Sequence, residues 1–286
     1  MVELKSSGPP EVRLGLENRA ENVALVRQAL RGIAAAVRLD DALLADVKTA
    51  VSEACNNVVV HAYAGHRGPM EVYAAPDGRE LTVVVRDLGQ GIRPRQPEPD
   101  ATMQGVGLSL IQALTKKVEF GGGIGEGTEV RMVFESSVDL EVGGIESVEV
   151  ESNGNGHGKL PEGSITVSVC GMLTGPVLSG VIGMVAARLG FSVERLSDAQ
   201  ILSDAIAANG HASYPGRHVH IAIDADEHQL RLRLAPLVND GAAALVRTSG
   251  IGGLEPLLER LSDELSIEQS DDGEQLVLTL RDPVGG

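Results

Sequence analysis

Tryptophan is missing from this chain, and aromatic residues of every kind make up only 2% of it, three Tyr and three Phe. Any packed core must therefore be built from Val, Leu, Ile and Ala. Cysteine is scarce as well. Cys55 and Cys170 alone cannot form a disulfide framework, which points to a reducing, cytoplasmic compartment. Cations are outnumbered, 24 Lys and Arg against 40 Asp and Glu, for a formal net charge of −16. That balance argues against nucleic acid or an anionic membrane as the main partner. No uncharged apolar run reaches the roughly 18 residues a membrane span needs, so no span is expected. The opening MVELKSSGPPEVRL has no apolar core of signal-peptide length.

What is present is a chain of 286 residues, 43% hydrophobic, with 35 glycines. At roughly 150 residues per domain, two domains are expected. Residues 138–163 hold six acidic residues and one Lys around SNGNGHG, a composition that cannot bury a core and reads as a linker. It separates residues 1–137, net −3, from residues 164–286, net −8 and without a single Lys.

In the first half, Val12, Leu14 and Leu16 alternate with small or polar residues and predict a strand. Helical spacing runs through 21–37 and again from Leu39 to Tyr63, with Asp40 or Asp41 as N-cap. EVYAA and ELTVVVRD, split by Pro76-Asp77-Gly78, read as a hairpin, and Val83-Val84-Val85 as a central strand. QGVGLSLIQALTKKV is a Gly-rich turn opening a helix, and VEF with TEVRMVF forms a second hairpin around GGGIGEG. Helices and hairpins in runs, without βα alternation, predict an α+β fold: two layers, with helices on one face of a mixed, mostly antiparallel sheet.

Three constellations carry chemistry. Glu53 and Asn57 stand four apart on one helix face, and His61 continues the stripe. A carboxylate and an amide so placed could hold a hydrated divalent cation or act as base and ligand; a solvated helix face has the same pattern. Asp87, with Gly89 and Gly91, follows a strand directly. Its carboxylate could accept from an exocyclic amine, or sit in an ordinary Asp turn. Gly105 and Gly107 open a helix whose free N–H groups could bind an anion. There is neither a Walker lysine nor a parallel βαβ unit around them.

Taken in order, SEACNNVVVHAY, DLGQGI, GVGLSLI and GTEV resemble the boxes of the GHKL (Bergerat) ATP-binding superfamily, over residues 10–136. The SEA-x-x-N-x-x-x-H-x-Y form is similar to that of bacterial anti-sigma factor serine kinases. The resemblance implies that ATP and Mg²⁺ are the cofactors. It makes Asn57 the Mg²⁺ ligand, Glu53 the catalytic base, and Asp87 the acceptor of the adenine amine with Thr128 nearby. Gly89 and Gly91 would shape the adenine pocket, and Gly105 and Gly107 would form the hinge at the phosphates. It leaves His61 a surface or structural residue.

The second half resembles a degenerate copy. SDAIAANGHASYPG (203–216) lies on SEACNNVVVHAYAG (52–65) at a shift of 151, and TSGIGGLEPLLERL resembles the last Gly turn and helix. In that frame Asp204 replaces Glu53, Ala208 replaces Asn57 and Pro236 replaces Asp87, while Thr128 falls near Glu274. A one-residue gap would bring Asn209 onto Asn57 instead. The expected function is an ATP-dependent anti-sigma factor and serine/threonine kinase. Its partners would be a sigma factor or an anti-anti-sigma protein of the STAS type. The alternative is a non-catalytic adaptor whose second domain binds protein. A homodimer, or an internal pseudo-dimer of the two copies, is also implied.

Overall fold

The computed structural model describes residues 11–91, 106–123, 125–140, 163–215, 218–250, 255–270 and 273–282. The chain divides into two compact units, Glu11–Val142 and a second that contains residues 143–286.

In the first unit, the alternation of Val12, Leu14 and Leu16 produces β1 (Val12–Glu17), with those three side chains buried. Helix α1 (Ala20–Val37) buries Val23, Val26, Leu30 and Ile33 and stops at Arg38, whose left-handed φ of 55° turns the chain. Helix α2 (Asp41–Asn57) begins at Asp40, not Asp41: Leu43 N donates to Asp40 Oδ1 at 2.8 Å. Strands β2 (Pro69–Asp77) and β3 (Glu80–Asp87) form the first hairpin. Pro76 is part of the ladder, opposite Leu81, and the reversal falls on Gly78 and Arg79. Helix α3 (Val106–Leu114), β4 (Lys117–Gly123) and β5 (Gly127–Glu135) complete the unit.

The strands lie in the order β4-β5-β3-β2-β1. All four ladders are antiparallel, in keeping with the expected α+β fold on a mostly antiparallel sheet. Helix α1 rests on β1 and β2, and α2 on β3 and β5. The central β3 turns Leu81, Val83 and Val85 toward the buried side and leaves Val84 half-buried. The chain stays on this unit through Leu140, which is buried and whose N donates to Gly78 O at 2.8 Å.

The second unit repeats the architecture. Its elements are β6 (Ile165–Cys170), α4 (Thr174–Arg188), α5 (Val193–Asn209), β7 (His218–Asp226), β8 (Gln229–Leu237), α6 (Gly241–Thr248), α7 (Leu257–Leu261), β9 (Glu264–Ser270) and β10 (Gly273–Arg281). The order β9-β10-β8-β7-β6 matches that of the first unit strand for strand, again with antiparallel ladders. Helix α6 is an element the residue pattern does not announce. Its AAALVRT is too short to show a helical period. Gly171–Arg188 is long and apolar enough to cross a membrane by length and composition. Here it is a core helix: Val177, Leu178, Val181, Ile182 and Val185 are buried, and α4 packs on α5, β6 and β7 of its own unit.

With so few aromatics, each buried one matters. Phe134, 1% exposed, pairs with Leu81 at the far end of the β3–β5 ladder. Phe134→Ala should cost about 3–5 kcal/mol, read as a lower urea midpoint for the first unit.

Candidate functional site

The site starts from the two-residue period of β3 and β5. Facing the helices, Leu81 pairs with Phe134, Val83 with Met132 and Val85 with Val130. The next pair in the same register is Asp87 with Thr128. The period that buries the valines thus also buries a carboxylate: Asp87 is only 3% exposed. Asp87 Oδ1 accepts from Gly89 N at 2.8 Å. Its other oxygen has no partner among the described residues. A buried carboxylate left half-satisfied is a strong acceptor for a donor supplied from outside.

Helix α2 delivers Glu53 and Asn57 to the same end of the sheet. Both are half-buried, and neither side chain is hydrogen-bonded among the described residues. A β-carbon placed on Gly107, in the first turn of α3, would lie 3.0 Å from Glu53 Oε2, so that carboxylate sits against the start of α3. Beyond Asn57 the helix widens into a single π turn, Val58–Ala62. This changes the reading of the stripe. The period of 3.6 ends at Asn57, and His61 is exposed instead of continuing the line of Glu53 and Asn57. Cys55, on the same helix, is fully buried, and desolvation pushes its thiol up to about 12, so it packs and does not react.

The DLGQG loop is tied down from several sides. Gln90 N donates to Ala62 O at 2.9 Å, and Gly125 N to Gln90 O at 3.1 Å. Gly91 has a φ of +75°, and a β-carbon there would come within 1.9 Å of Gly123 O, so only glycine fits. Tyr63, to which the residue pattern assigned no role, proves central. Its hydroxyl donates to Pro69 O and accepts from Leu88 N at 2.8 Å. Burial raises its pKa, which keeps it a donor. The internal repeat carried a signal for it, because Tyr214 falls on Tyr63 in that alignment. Among the expected residues, Glu53, Asn57, Asp87, Gly89, Gly91, Gly107 and Thr128 gather at this end of the unit. Gly105 lies outside the described residues.

Comparison with known proteins agrees with this geometry. Residues 16–134 match the model of the histidine kinase-like ATPase domain. The anti-sigma F factor of Thermoanaerobacter pseudethanolicus is 30% identical over 131 residues, which is 90% of that protein and 42% of this chain. The chain belongs to the histidine kinase-like ATPase family that includes the anti-sigma F factors. The anti-sigma F factor of Clostridium acetobutylicum is 31% identical over 124 residues, covering 85% of that protein and 40% of this chain. That of Pasteuria penetrans is 33% identical over 126 residues, 83% of that protein and 40% of this chain. A crystal structure of RsbU and RsbW domains from Mycobacterium tuberculosis matches 49% of this chain and 35% of that one, at 24% identity and a TM-score of 0.36. A score that low carries no argument. An ATPase domain implies ATP binding, usually with Mg²⁺. The groups present fit: Asp87 offers an open acceptor for an amine, and Asn57 and Glu53 offer oxygens not engaged elsewhere among the described residues.

The second unit keeps the strand order of the first and carries different residues at the corresponding sheet end. Helices α2 and α5 both run for 17 residues from an N-cap, Asp40 or Ser192, that accepts from the third residue on. Over these helices the shift is therefore 152. Asn209, not Ala208, stands at the place of Asn57, and the buried Ala205, not Asp204, at that of Glu53. The π turn of five residues in the first unit faces a 3-10 turn of four, Gly210–Ser213, in the second. That one residue restores the shift of 151 at Tyr63 and Tyr214, whose hydroxyls both donate to a carbonyl six residues on. Gly127 and Gly273 fix the strand frame. A β-carbon on either would strike one carbonyl, Asp87 O at 2.0 Å or Leu237 O at 2.5 Å. Counted from the hairpins, Pro236 falls on Asp87 as expected, but a register shift between Glu274 and Leu276 brings the buried Leu237 opposite Glu274, which stands in the place of Thr128.

Glu274 turns its carboxylate to the start of α6. It accepts from Asp240 N at 2.8 Å, Ala242 N at 3.1 Å and Gln269 Nε2 at 3.2 Å. These amides, Asp240 first, hold its pKa below the ordinary glutamate value. A carboxyl depressed in the folded state contributes stability above its unfolded pKa and loses it as pH falls through the folded one. Urea midpoints of the second unit should therefore fall as pH drops below the ordinary glutamate range. In Glu274→Gln that part of the acid slope should be missing.

Proposed function

We propose that the first unit binds ATP with Mg²⁺ and acts as a serine/threonine kinase and anti-sigma factor toward an anti-anti-sigma (STAS-type) protein and its sigma factor. The observation that carries the reading is the polar end of the β3–β5 ladder. Asp87 and Thr128 interrupt an apolar register beside the free groups of Glu53 and Asn57. Asp87 accepts from the adenine amine, with Thr128 beside it. Gly89 and Gly91 keep the loop close to the base. Asn57 contributes an oxygen to Mg²⁺, and Gly105 and Gly107 give the phosphates room at the start of α3. ATP, when bound, supplies the phosphoryl group. Glu53 takes the proton of the incoming Ser or Thr hydroxyl as the new oxygen–phosphorus bond forms and ADP leaves. The enzyme's part in such a transfer is positioning and charge neutralisation, and a general base adds to it.

A second reading is favoured by one observation. With Leu237 and Glu274 at the base position, the second unit lacks the acceptor for adenine, which supports a binding module without nucleotide. Both units then serve one regulator, with the first reading nucleotide and the second engaging another molecule.

Calorimetry on the full chain should find one ATP–Mg²⁺ site, abolished by Asn57→Ala. Glu53→Ala should keep ATP affinity and lower phosphate transfer to a STAS partner by roughly 10²–10⁴-fold. Retained ATP binding with no transfer by wild type or variant would remove the kinase part and leave the ATP-gated adaptor.

A further inference from the structure

The second unit holds a cavity of about 450 Å³ between the end of α5, the 3-10 turn, the β8–α6 connection and α6. It occupies the place that the nucleotide site takes in the first unit, since Asn209 on its wall is the counterpart of Asn57. We propose that this cavity binds a small organic anion, whose phosphate or carboxylate group pairs with Arg247, and that it does not accept a purine nucleotide.

Three observations carry the assignment. The first is the cation. Arg247 is the one Arg or Lys on the cavity wall, in a stretch, residues 164–286, that has no Lys and an excess of acid. It is exposed, and its guanidinium has no hydrogen bond or ion pair among the described residues. A guanidinium presents paired N–H groups that match the two oxygens of a carboxylate or phosphate. The second is the state of the other donors. A helix start is the usual anion position in this fold, but at α6 Glu274 already accepts from Asp240 N and Ala242 N. Asn209 Nδ2 is likewise engaged with Ala205 O at 2.9 Å. The cationic partner for an anion entering the cavity is Arg247, at the last turn of α6. The third is the rest of the wall. Val238, Ala208 and Ala244 give it apolar surface that suits the body of an organic molecule, while Ser213, Asn239 and the carboxylate of Asp240 add polar groups around it. The purine is excluded because, at the sheet end beside the cavity, Leu237 has no group to accept an exocyclic amine, whereas the first unit has Asp87, the proposed acceptor, at its sheet end. A donor left unpaired against an apolar wall discriminates strongly.

The test is calorimetric titration of the full chain with phenyl phosphate and, separately, with succinate, which tells a phosphate from a carboxylate ligand. At least one probe should bind once per chain. Arg247→Gln should weaken it by about tenfold or more, as expected for loss of a charge-assisted pair, while Asn57→Ala, in the other unit, should leave it unchanged. ATP added to the Asn57→Ala chain should not displace the probe. Failure of both probes to bind wild type overturns the proposal, as does equal binding by Arg247→Gln. Loss of binding in Asn57→Ala would move the site to the first unit. Displacement by ATP in that variant would make the cavity a nucleotide site and end the exclusion of purines.

Discussion

A strand covered by helices must bury every second residue, and in this protein that rule is kept one residue past the point where apolar side chains run out. Along β3 the buried positions are Leu81, Val83, Val85 and then Asp87. Desolvating a carboxylate is unfavourable unless donors meet it. One donor, Gly89 N, comes from the chain itself. The geometry leaves the second oxygen for a ligand. Much of the surrounding structure holds this arrangement in place. Tyr63 anchors Leu88, Ala62 anchors Gln90, and Gly123 closes over Gly91.

The second unit answers the same constraint differently, and the contrast is informative. At the end of its core-facing register stand Leu237 and Glu274. The leucine satisfies the apolar rule outright. The carboxylate has moved to the neighbouring strand, where three donors meet it, two of them backbone amides of α6. What a ligand would supply in the first unit, the chain supplies to itself in the second. A fold kept strand for strand can thus hold an open acceptor in one unit and a closed one in the other, because function rests on a few side chains at one sheet end.

Much of the architecture was legible in the residues. The alternation of β1, the period of α1 and α2, both hairpins and the repeat of the design all follow from hydrophobic spacing and turn chemistry. The residues proposed for the site stood out because they sit at element ends, where motifs and secondary structure coincide. Three features were not. Helix α6 is too short for its period to show. The π turn after Asn57 has no composition of its own, yet it turns His61 out of the stripe with Glu53. The frame of the second copy was off by one residue over α5, because a five-residue turn in one unit answers a four-residue turn in the other, and a register shift in the β8–β10 ladder sets Leu237 where the strand count puts Pro236.

The sequence by itself determined the family and the class of fold, and singled out the groups proposed to carry chemistry, because periodicity and motif spacing are local properties of the chain. Only the tertiary structure decided which of those groups are free. That, among the described residues, Asp87 keeps an unpartnered oxygen and Arg247 lines a cavity without a partner, and that Glu274 is spent on α6, depend on strands and helices far apart in the chain. Burial and hydrogen bonding are set by what folds against a residue, and no local pattern records it.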